Sequence, residues 1–359
     1  MNDHKSVPKV DVIVVLWKSL PFLDELFAGF TTLDYPRDAC TVHIVDNASP
    51  DGAGEEVQRR LSHPDPAWPR IILHEPGTNL GFSGGNNLVM RASSADYCYL
   101  LNHDAAFEPG TLREAIAVAE ADSSIGSVQS LIVLMQDPDT INSTGNVVHI
   151  AGFGYCNAYT RPVSEAPTSV VPIGYASGAG VLYRMNALRK VGYLDEMLFA
   201  YHEDLDLGWR LLLAGYENVL APKSVLRHRY EFSRSIAKWY WMERNRSIVM
   251  LYNYRLPTLV VLAPLLIGIE LAIWFFALLR GFVKEKAKAA AWFFKKGSWS
   301  SVLAGRRHAQ ALRVRSDRQI LKRFTATIGH QDVESPVVDW VANPLMRLYA
   351  ALLLIVVWW

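Results

Sequence analysis

The 359 residues, half of them hydrophobic, suffice for one or two domains with buried cores, and no internal repeat or low-complexity tract interrupts them. A net charge of +1 conceals an asymmetry, because residues 1–222 carry 14 Lys/Arg against 27 Asp/Glu while residues 223–330 carry 21 against 5. A basic, aromatic-rich second half suits nucleic acid or an anionic membrane, and its fusion to an apolar run with no nucleic-acid motif excludes the first.

"MNDHKSVPKV" has no apolar run before Val10, so no secretory signal is expected. "VDVIVVL" (Val10–Leu16) predicts a strand, followed by a helical pattern through Phe30. "TVHIVDNAS", "RIILHE" and "YCYLLNHDA" predict three more strands, with helices over about 84–94 and 110–121. This alternation predicts an α/β domain on a mainly parallel sheet, with ligands beyond the carboxyl ends of the strands. Residues 125–200 carry more Gly and short strands. Cys40, Cys98 and Cys156 are odd in number and unspaced for zinc, which predicts reduced thiols in a cytoplasmic compartment.

From Ser235 the pattern is helical and leads into "LPTLVVLAPLLIGIELAIWFFALL" (256–279), whose single charge is Glu270. Its length suits a bilayer. Arg244, Arg246 and Arg255 precede it, and Arg280, Lys284, Lys286 and Lys288 follow, so one straight span would strand one basic cluster on the wrong side. Pro257, Pro264 and Gly268 offer bends. A true span and a re-entrant or in-plane element stand equal on these grounds, with a buried soluble helix as the third reading. The basic, aromatic stretch 280–325 suits an interfacial helix pair, and the apolar end 345–359 an interfacial anchor.

Five places carry candidate chemistry. Asp46 and Asn47 end the second strand, where a carboxylate can accept an N–H from a base edge; either residue also serves as a cap or Asx-turn. "GTNLGFSGGNN" (Gly77–Asn87) permits close backbone approach, and a helix starting near Gly84 would aim N–H groups at an anion. It is neither a Walker A loop nor a dinucleotide fingerprint. Asn102, His103 and Asp104 follow the fourth strand, where a carboxylate suits a hard divalent cation or merely caps a helix. "FAYHEDLDLGWRLLLAG" puts Glu203 and Asp204 at a helix start beside Phe199, Tyr201, Leu205 and Trp209, with Asp206 and Arg210 paired at i,i+4. Such a half-dried carboxylate can remain ionised and accept a proton. His228, near Arg227, Arg229 and Arg234, is a metal or phosphate contact or part of a basic patch.

Taken in order, "VIVVLW", "IVDNAS", "GTNLGFSGGNN", "LLNHDA", "SGAGVLYR", "YHEDLDLGWR", "HRYEFS" and "ERNR" resemble the family 2 glycosyltransferases of GT-A fold, most of all the rhamnosyltransferase-like members that build bacterial cell-surface polysaccharides. The resemblance covers Val10 to about Asn245. It implies a GT-A domain over 1–245 (nucleotide part about 1–124, acceptor part about 125–245) and a membrane-associated helical region over 246–359. It implies inverting transfer of rhamnose or a hexose from a UDP- or dTDP-sugar to a lipid-linked or cell-surface glycan, at the inner (plasma) membrane with the catalytic domain cytoplasmic.

By the same resemblance Asp46 and Asn47 would bind the base, and Asn79, Gly81, Gly84 and Gly85 would line the nucleotide with Asn102, His103 and Asp104. Asp104 and His228 would hold Mg2+ or Mn2+. Asp204 would deprotonate the acceptor with Glu203 in support, and Gly178, Ala179, Gly180, Trp209 and Arg234 would face the acceptor. Asn102 stands where the family's D-x-D begins with an acid, leaving fewer anionic ligands for the cation. The Q-x-x-R-W motif of processive synthases is absent, which implies addition of one or a few sugars. A polyprenyl-phosphate acceptor and a catalytically silent membrane adaptor are the alternatives.

Overall fold

The computed structural model describes residues 7–230, 239–329, 336 and 338–359. The first half alternates as expected: β1 (Val10–Leu16), α1 (Leu23–Thr32), β2 (Cys40–Asp46), α2 (Ala53–Leu61), β3 (Arg70–His74), α3 (Gly81–Met90) and β4 (Tyr97–Leu101). β1 pairs in parallel with β2 on one side and β4 on the other, and β2 with β3. Val12, Ile13 and Val14 are fully buried, which is why this strand reads as an unbroken apolar run instead of alternating.

Beyond β4 the sheet becomes mixed. β5 (Ala105–Phe107), α4 (Thr111–Ala121), β6 (Ile125–Leu134), β7 (Asp137–Ser143), the pair β8 (Asn146–Val148) and β9 (Gly154–Cys156), and β10 (Val171–Pro172) lead to β11 (Gly180–Arg184). β11 runs antiparallel to both β4 and β6, and β12 (Glu217–His228) runs parallel to β6. The ten-stranded sheet reads β3-β2-β1-β4-β11-β6-β12-β10, with β5 on β12 and β7 on β6. The parallel expectation therefore holds for the four strands at one end. From β1 the parallel neighbours lie on opposite sides, and at such a switch point a crevice opens past the strand ends. Asp46 and Asn102 stand at that edge.

Helices cover both faces. α1, α2 and α4 pack on one through Leu26, Phe30, Val57 and Leu112. α3, α5 (Met185–Val191) and α6 (Glu203–Leu213) cover the other through Met90, Leu188, Leu207 and Leu211. A third core joins α6 to α7 (Trp239–Asn253) and to α8 (Leu256–Arg280), α9 (Val283–Trp292), α10 (Ser298–Ala311), α11 (Asp317–Leu321) and α12 (Asn343–Val356). Residues 246–359 thus share a core with the sheet domain.

Two expectations change here. Trp209, expected to face an acceptor, is fully buried and meets the rings of Tyr254 and Phe324 edge-on at 4.6 and 4.7 Å, so it is a core residue. The helix expected from about Gly84 begins at Gly81. Arg234 lies outside the described residues. All three cysteines are free thiols, and burial drives the Cys40 thiol up to about 12.

Candidate active site

At the end of β2, Asp46 accepts the Ser49 N–H at 3.0 Å. Burial, helped by Glu55, Glu75 and Asp51, outweighs that bond and raises its carboxyl above the usual value. Helix α2 reaches this carboxylate only because residue 54 is glycine: a Cβ there would stand 2.5 Å from Asp46 Oδ2. Asn47 is buried, and its amide is engaged inside the protein. It donates to Asn79 Oδ1 and the Gly81 carbonyl at 3.0 Å and accepts the Leu80 N–H at 2.9 Å. Its role is to pin the Gly77–Asn87 loop against β2.

That loop is tighter than an open anion cradle. Gly81 N–H donates to Asn79 Oδ1 at 2.8 Å and Ser83 N–H to the Phe199 carbonyl at 3.1 Å. With Leu80 N–H already engaged, these donors face protein acceptors. Gly81 has φ 72°, and a Cβ on it would meet the Phe199 ring at 2.5 Å, so glycine is required here for two reasons. Gly84 and Gly85 lie inside α3, where a Cβ would press on Leu80 and Val15 respectively. The smallness of Gly85 lets α3 sink onto β1.

Past β4, Asp104 Oδ1 stands 3.2 Å from His228 Nε2, which the end of β12 brings in by pairing with β5. The other ring nitrogen, Nδ1, lies 2.9 Å from Asn142 Oδ1, and the Asn102 amide nitrogen is 3.4 Å from Nε2. An oxygen at Nδ1 calls for a proton there, which leaves the Nε2 lone pair aimed at a carboxylate oxygen. That arrangement suits a proton or a cation between them. Among the described residues no group of three or more His, Cys, Asp or Glu side chains stands ready to hold a metal. A cation here would have two protein ligands and draw the rest from phosphate and water, the habit of Mg2+. His103 packs its ring 5.7 Å from that of Phe22.

The acids of α6 sit behind a strained turn. Phe199, Tyr201 and His202 have φ of 63°, 67° and 67°, a region non-glycine residues rarely occupy. The turn is over-determined from α7: Asn245 Nδ2 lies 2.8, 3.0 and 2.7 Å from the carbonyls of Leu198, Ala200 and Tyr201, and Arg244 reaches the Met197 carbonyl at 2.5 Å. The Phe199 ring stacks on Trp241 at 4.7 Å. Emerging from this turn, Glu203 is buried, whereas Asp204 remains half-buried. Asp204 accepts the Gly178 N–H at 3.1 Å and the Leu205 N–H at 2.8 Å. Burial lifts its carboxyl to about 6 against those two donors, a poise suited to a base near neutral pH. Asp206 and Arg210 form the expected pair, 2.8 Å apart and buried.

One short segment links the two halves. Gly178 N–H holds Asp204, and the next carbonyl, of Ala179, accepts the Asn102 N–H at 3.2 Å, two residues before Asp104. Tyr201 lies in the fields of both Glu203 and Asp104, which together with burial raise its hydroxyl's pKa. One short segment and one tyrosine therefore tie the α6 acids to the strand end that carries Asp104. A Cβ on Gly178 would strike the Phe82 ring and come within 3.9 Å of Asp204 Oδ2, whereas one on Gly180 would strike Leu226. Sequence reasoning missed Asn245, Asn142 and Gly54. "ERNR" marked Asn245 without its role, while Asn142 and Gly54 carry no local signal. A cavity of 480 Å³ on the far side of α6, lined by Asp195, Arg210, Tyr252 and His308, stands apart from these residues.

Comparison with known proteins agrees with the fold. The family model described as glycosyl transferase family 2 matches residues 11–192. An N-acetylglucosaminyl-diphospho-decaprenol L-rhamnosyltransferase of Mycobacterium tuberculosis is 27 % identical over 243 residues, covering 61 % of this chain and 75 % of the relative. Among solved structures, GalNAc-T7 with UDP, GalNAc and Mn2+ matches with TM-score 0.55 at 11 % identity, over 70 % of this chain and 49 % of that one; this chain thus spans about half its length. The mannosyltransferase of Pyrobaculum calidifontis with GDP-Man and Mn2+ matches with TM-score 0.53 at 16 % identity, over 98 % and 88 %. At such identities the likeness is one of fold, the GT-A type.

Proposed function

This chain belongs to glycosyl transferase family 2, and we propose that it is an inverting, non-processive enzyme that moves a sugar from a UDP- or dTDP-sugar to a hydroxyl of a lipid-linked glycan. The Mycobacterium tuberculosis relative is named for a decaprenol diphosphate acceptor and for rhamnose. By that likeness the acceptor here is a polyprenyl-diphosphate sugar and the donor sugar rhamnose or a hexose. The enzyme works at the inner (plasma) membrane with its sheet domain in the cytoplasm. Two helices long and apolar enough to cross a membrane support membrane association.

The observation that supports this reading is the Gly178–Ala179 segment, which hydrogen-bonds to Asp204 on one side and to Asn102, two residues before Asp104, on the other. Asp204 accepts the proton of the acceptor hydroxyl as its oxygen attacks the anomeric carbon, and the bond to the nucleoside diphosphate breaks on the far side. The Gly178 and Leu205 N–H groups keep the Asp204 carboxylate oriented, and Glu203 supports it from the buried side. Asp46 faces the base of the nucleotide. Asp104 and His228 would hold Mg2+ or Mn2+, which when bound neutralises charge on the departing diphosphate. Asn142 keeps the His228 proton on Nδ1 and so leaves Nε2 free to ligate.

A panel of UDP-, dTDP- and GDP-sugars with a membrane-extracted acceptor, with and without Mn2+ or Mg2+, tests the reading through nucleotide release. Asp204→Asn should reduce transfer by about a thousandfold or more with donor affinity unchanged. A variant that keeps its rate would mean a lipid phosphate acceptor, which needs no base. No turnover of any donor by the wild type would mean a silent adaptor.

A further inference from the structure

We propose that α8 and α12 together form a face that rests in one leaflet of an anionic lipid bilayer, with α8 lying in the plane of the membrane and not across it. The inference deepens the membrane-bound reading above. Its observations come from the C-terminal helices and the residues they pack against.

The outward side of α8 is an unbroken apolar stripe: Leu256, Val260, Ile267, Leu271, Phe275 and Leu278 are each 61–72 % exposed. Their steps of four, seven, four, four and three keep to one helical face. On α12, Leu345, Leu348, Leu352 and Ile355 repeat the pattern. The two helices are bound to each other, since the Tyr349 hydroxyl donates to the Val261 carbonyl and Trp359 Nε1 to Thr258 Oγ1 at 2.8 Å. Trp340 and Trp358, 82 and 75 % exposed, flank the face. A contiguous apolar surface of this kind on a water-soluble monomer calls for a cover. Arg280, Lys284, Lys288, Lys295 and Lys296 are exposed just beyond the end of α8, where anionic head groups would neutralise them.

Length and composition alone allow α8 to span: 25 residues give about 37 Å. Its inner side forbids it. At the first turn, Asp317 of α11 accepts the Arg255 N–H at 2.8 Å and the Thr258 hydroxyl at 2.5 Å. Midway, Glu270 meets Lys286 of α9 at 2.6 Å and Arg246 of α7 at 3.2 Å, and both cations also pair with buried Glu243. In the last turns, Phe276 contacts the Trp239 ring of α7 at 6.0 Å. A helix moored at start, middle and end to the soluble domain cannot cross without carrying that domain with it. Crossing would also place Glu243, Arg246, Glu270 and Lys286 near mid-bilayer, where each charge is strongly disfavoured. The segment after α8 stays on the same side, because the Val314 N–H donates to Leu213 of α6 and Thr325 N–H to Val148 beside β9.

Two measurements on the full chain test this. In sealed right-side-out membrane vesicles, Lys296→Cys should react with a membrane-impermeant maleimide only after permeabilisation, over the background set by the native cysteines. Reaction in intact vesicles would overturn the proposal in favour of crossing. In phosphatidylglycerol-containing vesicles, a fluorophore placed singly at Val260→Cys, Leu271→Cys and Leu278→Cys should be quenched equally by shallow bromolipids. Deeper burial of position 271 than of the two ends would overturn it, as would lipid-insensitive signals from a dimer joined through this face. Neither readout involves sugar transfer, so loss of the proposed reaction and loss of this inference are separate results.

Discussion

Asp204 is held by opposing effects: burial favours its protonated form, and the Gly178 and Leu205 N–H groups favour its charge. Burial prevails, and the carboxyl rises from 3.8 to about 6. Base catalysis by this residue predicts kcat/KM rising with pH through about 6 and then flattening, measured in a buffer series at fixed metal. Because the folded carboxyl holds its proton more tightly than an unfolded aspartate, its contribution to stability is complete below 3.8 and is lost as pH rises through about 6. At pH 8 the wild type therefore carries an unfavourable buried charge. Asp204→Asn should gain about 1–2 kcal/mol there and nothing at pH 3.5, read by denaturant unfolding. Gly81 is the structural counterpart. Gly81→Ala combines a positive φ with a collision against Phe199 and should cost about 2–4 kcal/mol with parallel loss of activity, read by thermal melting.

Helix α7 is the element on which the site's geometry depends. Its Arg244 and Asn245 brace the strained 198–202 turn, and its Glu243 and Arg246 engage α8 and α9. A single turn of helix thus connects the turn before Asp204 to α8 and α9. Asn245→Ala leaves buried carbonyls of the turn without their donor and should cost about 1–3 kcal/mol. The same variant should lower kcat about 10- to 100-fold with donor KM little changed, since a small misplacement of a catalytic group is expensive. A purely structural role would lower stability without that split. Glu243→Gln strips the buried Lys286 and Arg246 of a shared counter-charge and should destabilise by about 3–5 kcal/mol, read by urea unfolding.

Across the whole molecule the charge asymmetry of the sequence has a plain spatial meaning. The acidic half builds the sheet domain and its crevice, and the basic half builds the helices that flank an apolar face. The shared core around Trp209, Tyr254 and Phe324 makes the two halves unfold together, so calorimetry of the full chain in detergent or lipid should show one transition and not two.

Much of this was legible in the chain itself. The run Val10–Leu16 coincides with β1, because a strand buried on both faces is written as a run of β-branched residues. Asp104 and Asp204 stand out by their positions at a strand end and a helix start, and His228 by its basic neighbours. Apolar runs likewise locate α8 and the C-terminal end. Other features have no local signature. The antiparallel strands β11 and β6, the burial of Trp209 and the bracing of the turn by Asn245 all join residues far apart in the chain. The choice between a helix that crosses and one that lies flat was of the same kind. A 24-residue stretch with a single charge satisfies either arrangement, and only moorings from α7, α9 and α11 separate them. Local composition determined which segments are strand, helix and apolar; tertiary contacts alone decided which way each side chain faces, because facing depends on a partner that the sequence places elsewhere.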